Sequence, residues 1–375
     1  MAGIYIHIPF CKQACHYCNF HFSLSLSRKN ELIEAILFEI ENRKTYLEGE
    51  VIRTIYIGGG TPSILEYEDL AKILDKIQRI YPKLEIEEFT LEANPDDLDT
   101  SKIKDFIKLG INRLSIGIQS FHDIDLKYMN RVHNSEEALS SIYRSQDAGI
   151  ENISIDLIYG TPTMNHEQWR ENLQTAFQSQ ITHLSAYALT VEPKTKLASL
   201  IKKKIIQTPV DEVAYIQFQK MLEMMEQNSF EAYEISNFCK GEHYSKHNTS
   251  YWKGIPYIGF GPSAHSYNGV SRQWNISNNF KYMRDVKTAG GYYELETLST
   301  NNQVNEYIMT SLRTKWGMDL NYIEQKFGSS IKENISSTLD KDISKEYYQI
   351  VDGVIYLSRA GKFMADGIAS NLFMD

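Results

Sequence analysis

Short runs of apolar and β-branched residues recur through the first half of the chain. Each is followed by polar or glycine-rich positions and then by a stretch with apolar residues at helical spacing. This rhythm is that of βα units wound into a parallel sheet. Six strands are expected, over residues 4–8, 54–57, 87–92, 113–118, 153–158 and 183–189, with amphipathic helices between them such as 31–46 and 68–80. Units of this kind close into a barrel or open into a doubly wound sheet, and in both cases ligands collect at the carboxyl ends of the strands. Those ends carry Cys11, the run Gly58-Gly59-Gly60-Thr61-Pro62, Glu92, Gln119 and Asp156, so five of them supply polar or glycine-rich groups to one rim. After about residue 235 the rhythm is lost. A loop-rich, aromatic segment leads to helices near 304–312 and 320–327, and the tail from Tyr348 reads as a short hairpin followed by a terminal helix.

Composition adds limits. At 375 residues the chain exceeds the roughly 250–300 at which one core stops growing, which points to two domains. Its 42% apolar and 23% charged residues are ordinary for a globular protein, and no run is long and apolar enough to span a bilayer. The start, MAGIYIHIPFC, has neither the basic and apolar regions of a secretory signal nor an Arg-rich transit sequence, so a cytoplasmic protein is expected. A net charge of −9, with no basic run beyond Lys202 to Lys204, argues against a nucleic-acid partner. Of four cysteines three fall within eight residues, which suits a metal better than a disulfide framework. The fourth, Cys239, is expected to be a buried, inert thiol.

Cys11, Cys15 and Cys18 stand at i, i+4 and i+7 in a loop. Three thiolates so placed can hold three irons of a [4Fe–4S] cubane and leave the fourth without a protein ligand. That open iron can chelate the amino and carboxylate groups of S-adenosylmethionine (SAM), so that an electron from the cluster cleaves a carbon–sulfur bond; the chemistry belongs to the cofactor. The alternative is a zinc ion with His7, His16 or His21 as fourth ligand. Structural zinc sites usually carry two C-x2-C pairs, and only one is present. A glycine turn at a strand end lets backbone approach a ligand and donate N–H groups, which makes Gly59, Gly60 and Thr61 candidates for holding the methionine end of SAM. Glu92 could accept from its ribose hydroxyls or amino group.

The C-x3-C-x2-C spacing after the first strand, with Tyr17 before the last cysteine and GGGTP after the second strand, resembles the radical SAM superfamily. Within it, YIHIPFC, YCNF, GGGTPS, EANP, GIQSF, DLIYGTP and GFGPSAHS look like the motifs, in order, of the oxygen-independent coproporphyrinogen III oxidase group. The resemblance implies a partial (β/α)6 TIM-like radical SAM barrel in a core domain, residues 1–235, and a smaller mixed α+β C-terminal domain of the HemN type, residues 236–375. It also implies that Gln119, Arg131 and Asp156 are polar contacts of SAM, that Tyr5 is a further contact, and that Tyr17 lies against the adenine, touching SAM through its backbone.

The chain departs from the oxidases at two points. It reads Cys18-Asn19-Phe20 where they carry a further cysteine, and only ten residues precede Cys11. Both departures speak against decarboxylation of coproporphyrinogen by a deoxyadenosyl radical, which stays as the alternative function. Instead, His247-Asn248-Thr249-Ser250-Tyr251-Trp252 looks like the HNxxYW motif of the heme chaperone branch of this group. The resemblance assigns heme to His247, Asn248, Tyr251 and Trp252. The residues agree in kind: a neutral imidazole is a common axial ligand and aromatic faces stack on a porphyrin. Nine aromatics lie between Tyr233 and Trp274, against roughly five at the overall 12%. His243, His265 and Cys239 compete as ligands, and Lys246 or Arg272 could pair with propionates. The expected role is therefore a chaperone that binds heme and delivers it to acceptor hemoproteins, with those of the respiratory chain, peripheral membrane association and a homodimer implied by the resemblance alone.

Overall fold

Alternation inside the strands decides what faces what. A computed structural model describes residues 1–288 and 290–374. Six strands run parallel in sequence order: β1 (Ala2–Ile8), β2 (Ile52–Gly59), β3 (Leu84–Ala93), β4 (Arg113–Gln119), β5 (Asn152–Tyr159) and β6 (His183–Ala188). On one face Ile4, Ile6, Ile55, Ile57, Leu91, Leu114, Ile116, Ile153, Ile155 and Leu184 form a continuous apolar layer. Helices cover it with stripes at spacings of three and four, such as Leu32, Ile33, Ile36 and Ile40 from Lys29–Asn42, and Leu70, Ile73, Leu74 and Ile77 from Tyr67–Ile80. The alternate positions are mostly polar: Tyr5 and His7, Thr54 and Tyr56, Glu88, Thr90 and Glu92, Arg113 and Ser115, Ser154 and Asp156, His183 and Ser185. Curved inward, they line the interior of a partial (β/α)6 barrel. The dry core thus lies between sheet and helices, and the lumen is left for polar chemistry.

The expected strands all form. The helix expected over 31–46 ends sooner, at Asn42, and the chain continues in turns. The larger difference comes after residue 235. The expected loop-rich segment carries β8 (Asn237–Lys240), the helix Lys246–Trp252, β9 (Tyr257–Phe260), β10 (His265–Tyr267), β11 (Ser271–Asn275) and β12 (Tyr293–Thr297). Among the described residues these complete a twelve-stranded sheet of order β12-β11-β10-β9-β1-β2-β3-β4-β5-β6-β8-β7, where β7 is Phe230–Ala232. β9 lies parallel to β1, whereas β8 turns antiparallel to β6. Strands of three to five residues are too short to show a period in sequence.

A second apolar cluster gathers Val304, Ile308, Leu312, Ile323, Ile335, Leu339, Ile355 and Ile368. Its helices include Thr300–Leu312, Leu320–Phe327 and Ser329–Asp342. The expected hairpin joins Tyr348–Val351 to Val354–Leu357. Asp352 and Gly353, at φ 52° and 82°, give it the left-handed two-residue turn that matches strand twist. Two short terminal helices follow, Arg359–Phe363 and Ala365–Asn371. No helix among the described residues is long and apolar enough to cross a membrane.

Candidate functional site

The loop that carries the three cysteines leaves β1 and is pinned at both ends. Cys11 N–H donates to the Ser23 carbonyl at 3.0 Å, and Ser23 N–H returns to Pro9 at 2.6 Å. Its middle is held by the segment after β4: His16 N–H donates to the Met129 carbonyl at 3.0 Å, Asn130 Nδ2 to Ala14 at 2.8 Å and Gln13 Nε2 to Asn130 at 3.0 Å. The loop is therefore positioned by contacts with β4's far end, not by regular structure of its own. All three cysteines are free and partly buried. Burial pushes the Cys11 thiol up to about 11 and raises Cys18 as well. Thr61 Oγ1 donates to Cys11 Sγ at 3.7 Å, and Arg131 Nη1 donates to Cys15 Sγ at 3.2 Å. Donors aimed at two of the sulfurs suit thiolates that share their charge with a metal. Among the described residues no three His, Cys, Asp or Glu side chains gather as a single-ion site. A cubane takes its thiolates on three different irons, so its cysteines need not converge on one point.

The glycine run packs directly under this loop. A Cβ on Gly60 would lie 2.6 Å from Phe10 O and 3.0 Å from Cys11 Sγ, so only glycine allows the two strand ends to approach this closely. The expected role of its N–H groups needs correction. Gly59 N–H donates to Glu92 Oε2 at 2.9 Å, Gly60 N–H to the Ile8 carbonyl at 2.9 Å and Thr61 N–H to the Phe10 carbonyl at 2.7 Å. With all three donors turned into the protein, the turn has carbonyls to offer a ligand, which suit an ammonium and not a carboxylate.

Glu92 and Asp156 share the interior beneath the loop. Tyr56 OH donates to Glu92 Oε1 at 2.8 Å. Burial, with Asp156 nearby, still raises the Glu92 carboxyl to about 7. Burial likewise raises Asp156 to about 6 against hydrogen bonds from Ser185 and Ser115. Two buried carboxyls poised near neutrality form a place that favours a cation. Arg131 spans the gap between them and the cysteines: its Nη2 donates to Asn94 Oδ1 at 2.7 Å and to the Gly117 carbonyl at 2.8 Å, while its Nε is buried with no partner among the described residues. Gln119 closes β4 in the left-handed region, at φ 69°. That conformation is costly for a side-chain residue and tends to be kept at functional sites. Tyr5 OH bonds His7 Nδ1 at 3.1 Å inside the barrel. Tyr17 packs against the apolar group of Leu126, Met129, Ile158, Leu189 and Leu197. Structure thus brings Cys11, Cys15, Thr61, Glu92, Arg131 and Asp156 into one contiguous region. It adds Tyr56 and Asn94, which sequence reasoning missed; alternation in 54–58 and the EANP segment were the available signals.

The segment His247 to Trp252 lies elsewhere, at the amino ends of the strands. It forms the helix Lys246–Trp252, begun by Ser245 Oγ accepting from Asn248 N–H at 3.3 Å and by the buried Glu88 carboxylate accepting from Lys246 and His247 N–H at 2.8 and 2.9 Å. His247 enters the barrel at 1% exposure. Its Nδ1 is 2.8 Å from Thr54 Oγ1, its Nε2 is 2.8 Å from Tyr251 OH, and its ring stacks on Tyr56 at 5.2 Å. Burial lowers its pKa to about 3, so the ring is neutral. Neutral it is, as expected of an iron ligand, but neither nitrogen is open to an iron here. Trp252 points to the second cluster's side, with Arg313 5.7 Å from its ring centre. Both cations considered for propionates are paired, Lys246 with Glu87 and Arg272 with Glu306. Cys239 is fully buried and its thiol is pushed up to about 12, which agrees with an inert role.

Comparison with known proteins places this geometry among relatives. The sequence model of the radical SAM superfamily matches residues 5–176. The chain is similar to the heme chaperone HemW of Bacillus subtilis, 34% identical over 371 residues and covering 98% of each chain. It is similar also to heme chaperone HemW of Lactococcus lactis, 30% identical over 99% of this chain and 97% of the relative. In structure it resembles coproporphyrinogen III oxidase (HemN) from Escherichia coli, described as a radical SAM enzyme, with a TM-score of 0.85 over 100% of this chain and 90% of that one. At 19% identity that likeness shows the fold alone.

Proposed function

The chain belongs to the HemW family of heme chaperones within the radical SAM superfamily, and we propose from this that it binds heme and passes it to acceptor hemoproteins while keeping a cluster and SAM site at the carboxyl ends of its barrel strands. The observation that carries the second half is the single region formed by the cysteine loop, the glycine turn packed beneath it, and the Glu92–Asp156 pair. Cys11, Cys15 and Cys18 would hold a [4Fe–4S] cluster. When bound, such a cluster supplies an open iron that chelates SAM and an electron for its sulfonium.

The chain's own residues then divide the work. Thr61 and Arg131 donate to two of the sulfurs. Carbonyls of Gly59 and Gly60 would meet the ammonium of SAM, Glu92 and Asp156 would provide negative charge for its cationic parts, and Arg131 Nε and Gln119 would offer donors. Tyr5 supports the site through His7, and Tyr17 closes it from the side of its apolar neighbours. The reading keeps a core domain of residues 1–235 and a C-terminal domain of 236–375. The second apolar cluster, from Val304 onward, is what such a C-terminal domain rests on, while β8 to β12 extend the barrel's own sheet.

Anaerobic reconstitution followed by SAM and heme titration tests the proposal, with a coproporphyrinogen III turnover assay alongside. About four irons per chain, a cluster spectrum that changes on adding SAM, stoichiometric heme uptake and no protoporphyrinogen are the expected results. Turnover without heme uptake would return the chain to the oxidases.

A further inference from the structure

The closed ring of His247 raises the question of which imidazole can meet a heme iron. Of the ten histidines, His166, His243 and His265 are the ones whose rings make no hydrogen bond among the described residues, and all three are exposed. His166 opens the helix His166–Gln178 with no ring beside it. His243 lies in the turn after β8, near His183, at the barrel's amino end. His265 is placed differently.

β9 runs beside β1, and its carboxyl end passes Gly261, where a Cβ would come 2.4 Å from the His7 carbonyl. The chain then turns back into β10 at His265, which therefore stands at the carboxyl end of the barrel. His7 is close enough to feel charge on both His21 and His265. The His265 ring lies nearly parallel to the indole of Trp274, at 26° and 6.3 Å. Desolvation by its neighbours, with Arg272 close by, lowers its pKa, the direction that favours the neutral ring.

The same rim presents apolar surface without cover from this chain. Phe20, two residues after the last cysteine, is 71% exposed, and Phe280 is 66% exposed. The two segments are tied by His21 Nε2 and Asn279 Oδ1 at 2.7 Å. Arg28 sits 4.9 Å over the Phe280 ring, its guanidinium already paired with Glu31. A free imidazole and exposed phenyl rings on one rim are groups that recognise a flat apolar ligand with an iron at its centre.

We infer that His265 is the axial ligand of the carried heme, at the mouth of the barrel beside the cysteine loop, with Phe20 and Phe280 giving the porphyrin its apolar contacts and Trp274 holding the imidazole from the side. The inference rests on the heme chaperone reading. His247 then belongs to the framework of the barrel, not to the cargo.

The test is heme titration of the cluster-loaded full chain, followed by the Soret band and by the iron–histidine vibration of the ferrous state. Wild type, His265→Ala and His247→Gln are compared, since glutamine can keep hydrogen bonds to Thr54 and Tyr251. His265→Ala is expected to weaken heme binding by about tenfold or more and to lose the histidine signature, which free imidazole restores. His247→Gln is expected to keep that signature. Retention of the signature in His265→Ala, or its loss in a folded His247→Gln that still takes up heme, overturns the assignment. A wild type that takes up no heme overturns the chaperone reading itself and this assignment with it, and is told apart by the wild-type titration alone.

Discussion

Replacing His247 by alanine tests whether its ring holds the amino end of the barrel together. The side chain is 1% exposed, and its nitrogens engage Thr54 Oγ1 and Tyr251 OH at 2.8 Å each. Truncation leaves both hydroxyls without that partner inside the fold, at about 1–3 kcal/mol per group. It also removes a ring stacked on Tyr56 at 5.2 Å, worth about 0.5–1.5 kcal/mol. Water entering the space offsets part of this, so a loss of about 3–5 kcal/mol is expected. With an unfolding entropy of about 2.1 cal/mol/K per residue, a chain of this size changes by about 0.8 kcal/mol per degree, and the melting temperature should fall by about 4–6 °C. Thermal melts followed by circular dichroism check this. A double-mutant cycle with Thr54→Val should show a coupling of about 1 kcal/mol, because the two residues share one hydrogen bond. A His247→Ala melt within a degree of wild type, with no coupling to Thr54, would refute the claim that this ring is part of the framework.

Three further outcomes follow from the same geometry. Burial lowers His247 to about 3, His7 and His133 to about 4, and His183 well below its usual value, so these four rings bind more protons in the unfolded chain below pH 6.5, while Glu92 and Asp156, raised by burial to about 7 and 6, offset part of this; stability should decline as pH falls from 6.5 toward 4, and the decline should be shallower in His247→Gln, by denaturant titration across that range. Gly60→Ala places a methyl 2.6 Å from Phe10 O and 3.0 Å from Cys11 Sγ, so the cysteine loop must shift at about 1–3 kcal/mol, and iron incorporated per chain on reconstitution should fall well below wild type while the helical circular dichroism is kept. Glu92→Gln removes a carboxylate whose ionised form is lost below about pH 7; calorimetry should show SAM binding weakened by about 10–100-fold at pH 8, and the wild-type decline in affinity from pH 8 to 6 should be much reduced in the variant.

What the sequence made legible followed the length of each pattern. The parallel strands and the helices Tyr67–Ile80 and Leu320–Phe327 could be read because apolar positions recur at a regular spacing in each, as at Leu70, Ile73, Leu74 and Ile77 or at Leu320, Ile323 and Phe327. The rim could be read because parallel strands deliver their carboxyl ends to one side. Partners across the lumen could not. Nothing local says that Tyr56 reaches Glu92, that Arg131 reaches Cys15, 116 positions away, or that Glu88 caps a helix 158 residues later. The alternation T-I-Y-I-G and E-F-T-L-E-A was visible, however. A parallel strand covered on both faces usually reads as continuous apolar sequence, so polar residues at every second position already announce a polar lumen.

The helix Lys246–Trp252 shows why a motif match and a ligand set are different statements. A histidine, an asparagine, a tyrosine and a tryptophan at these spacings have the chemistry to bind a porphyrin, and the same chemistry serves to plug a polar barrel. Which use prevails depends on where the helix docks. It docks against β1 and β2: a Cβ on Gly3 would lie 3.1 Å from the His247 ring, so glycine at that position makes room for the imidazole. The ring then rests on Tyr56, the Tyr56 hydroxyl reaches Glu92, and Glu92 receives Gly59 N–H. Contacts therefore run without a break from the amino end of the barrel to the turn beneath the cysteine loop. A substitution at His247 disturbs that column from below, and a loss of heme or SAM binding in such a variant is not, by itself, proof of ligation. Ligation is established by a signature of the metal that a supporting residue cannot produce.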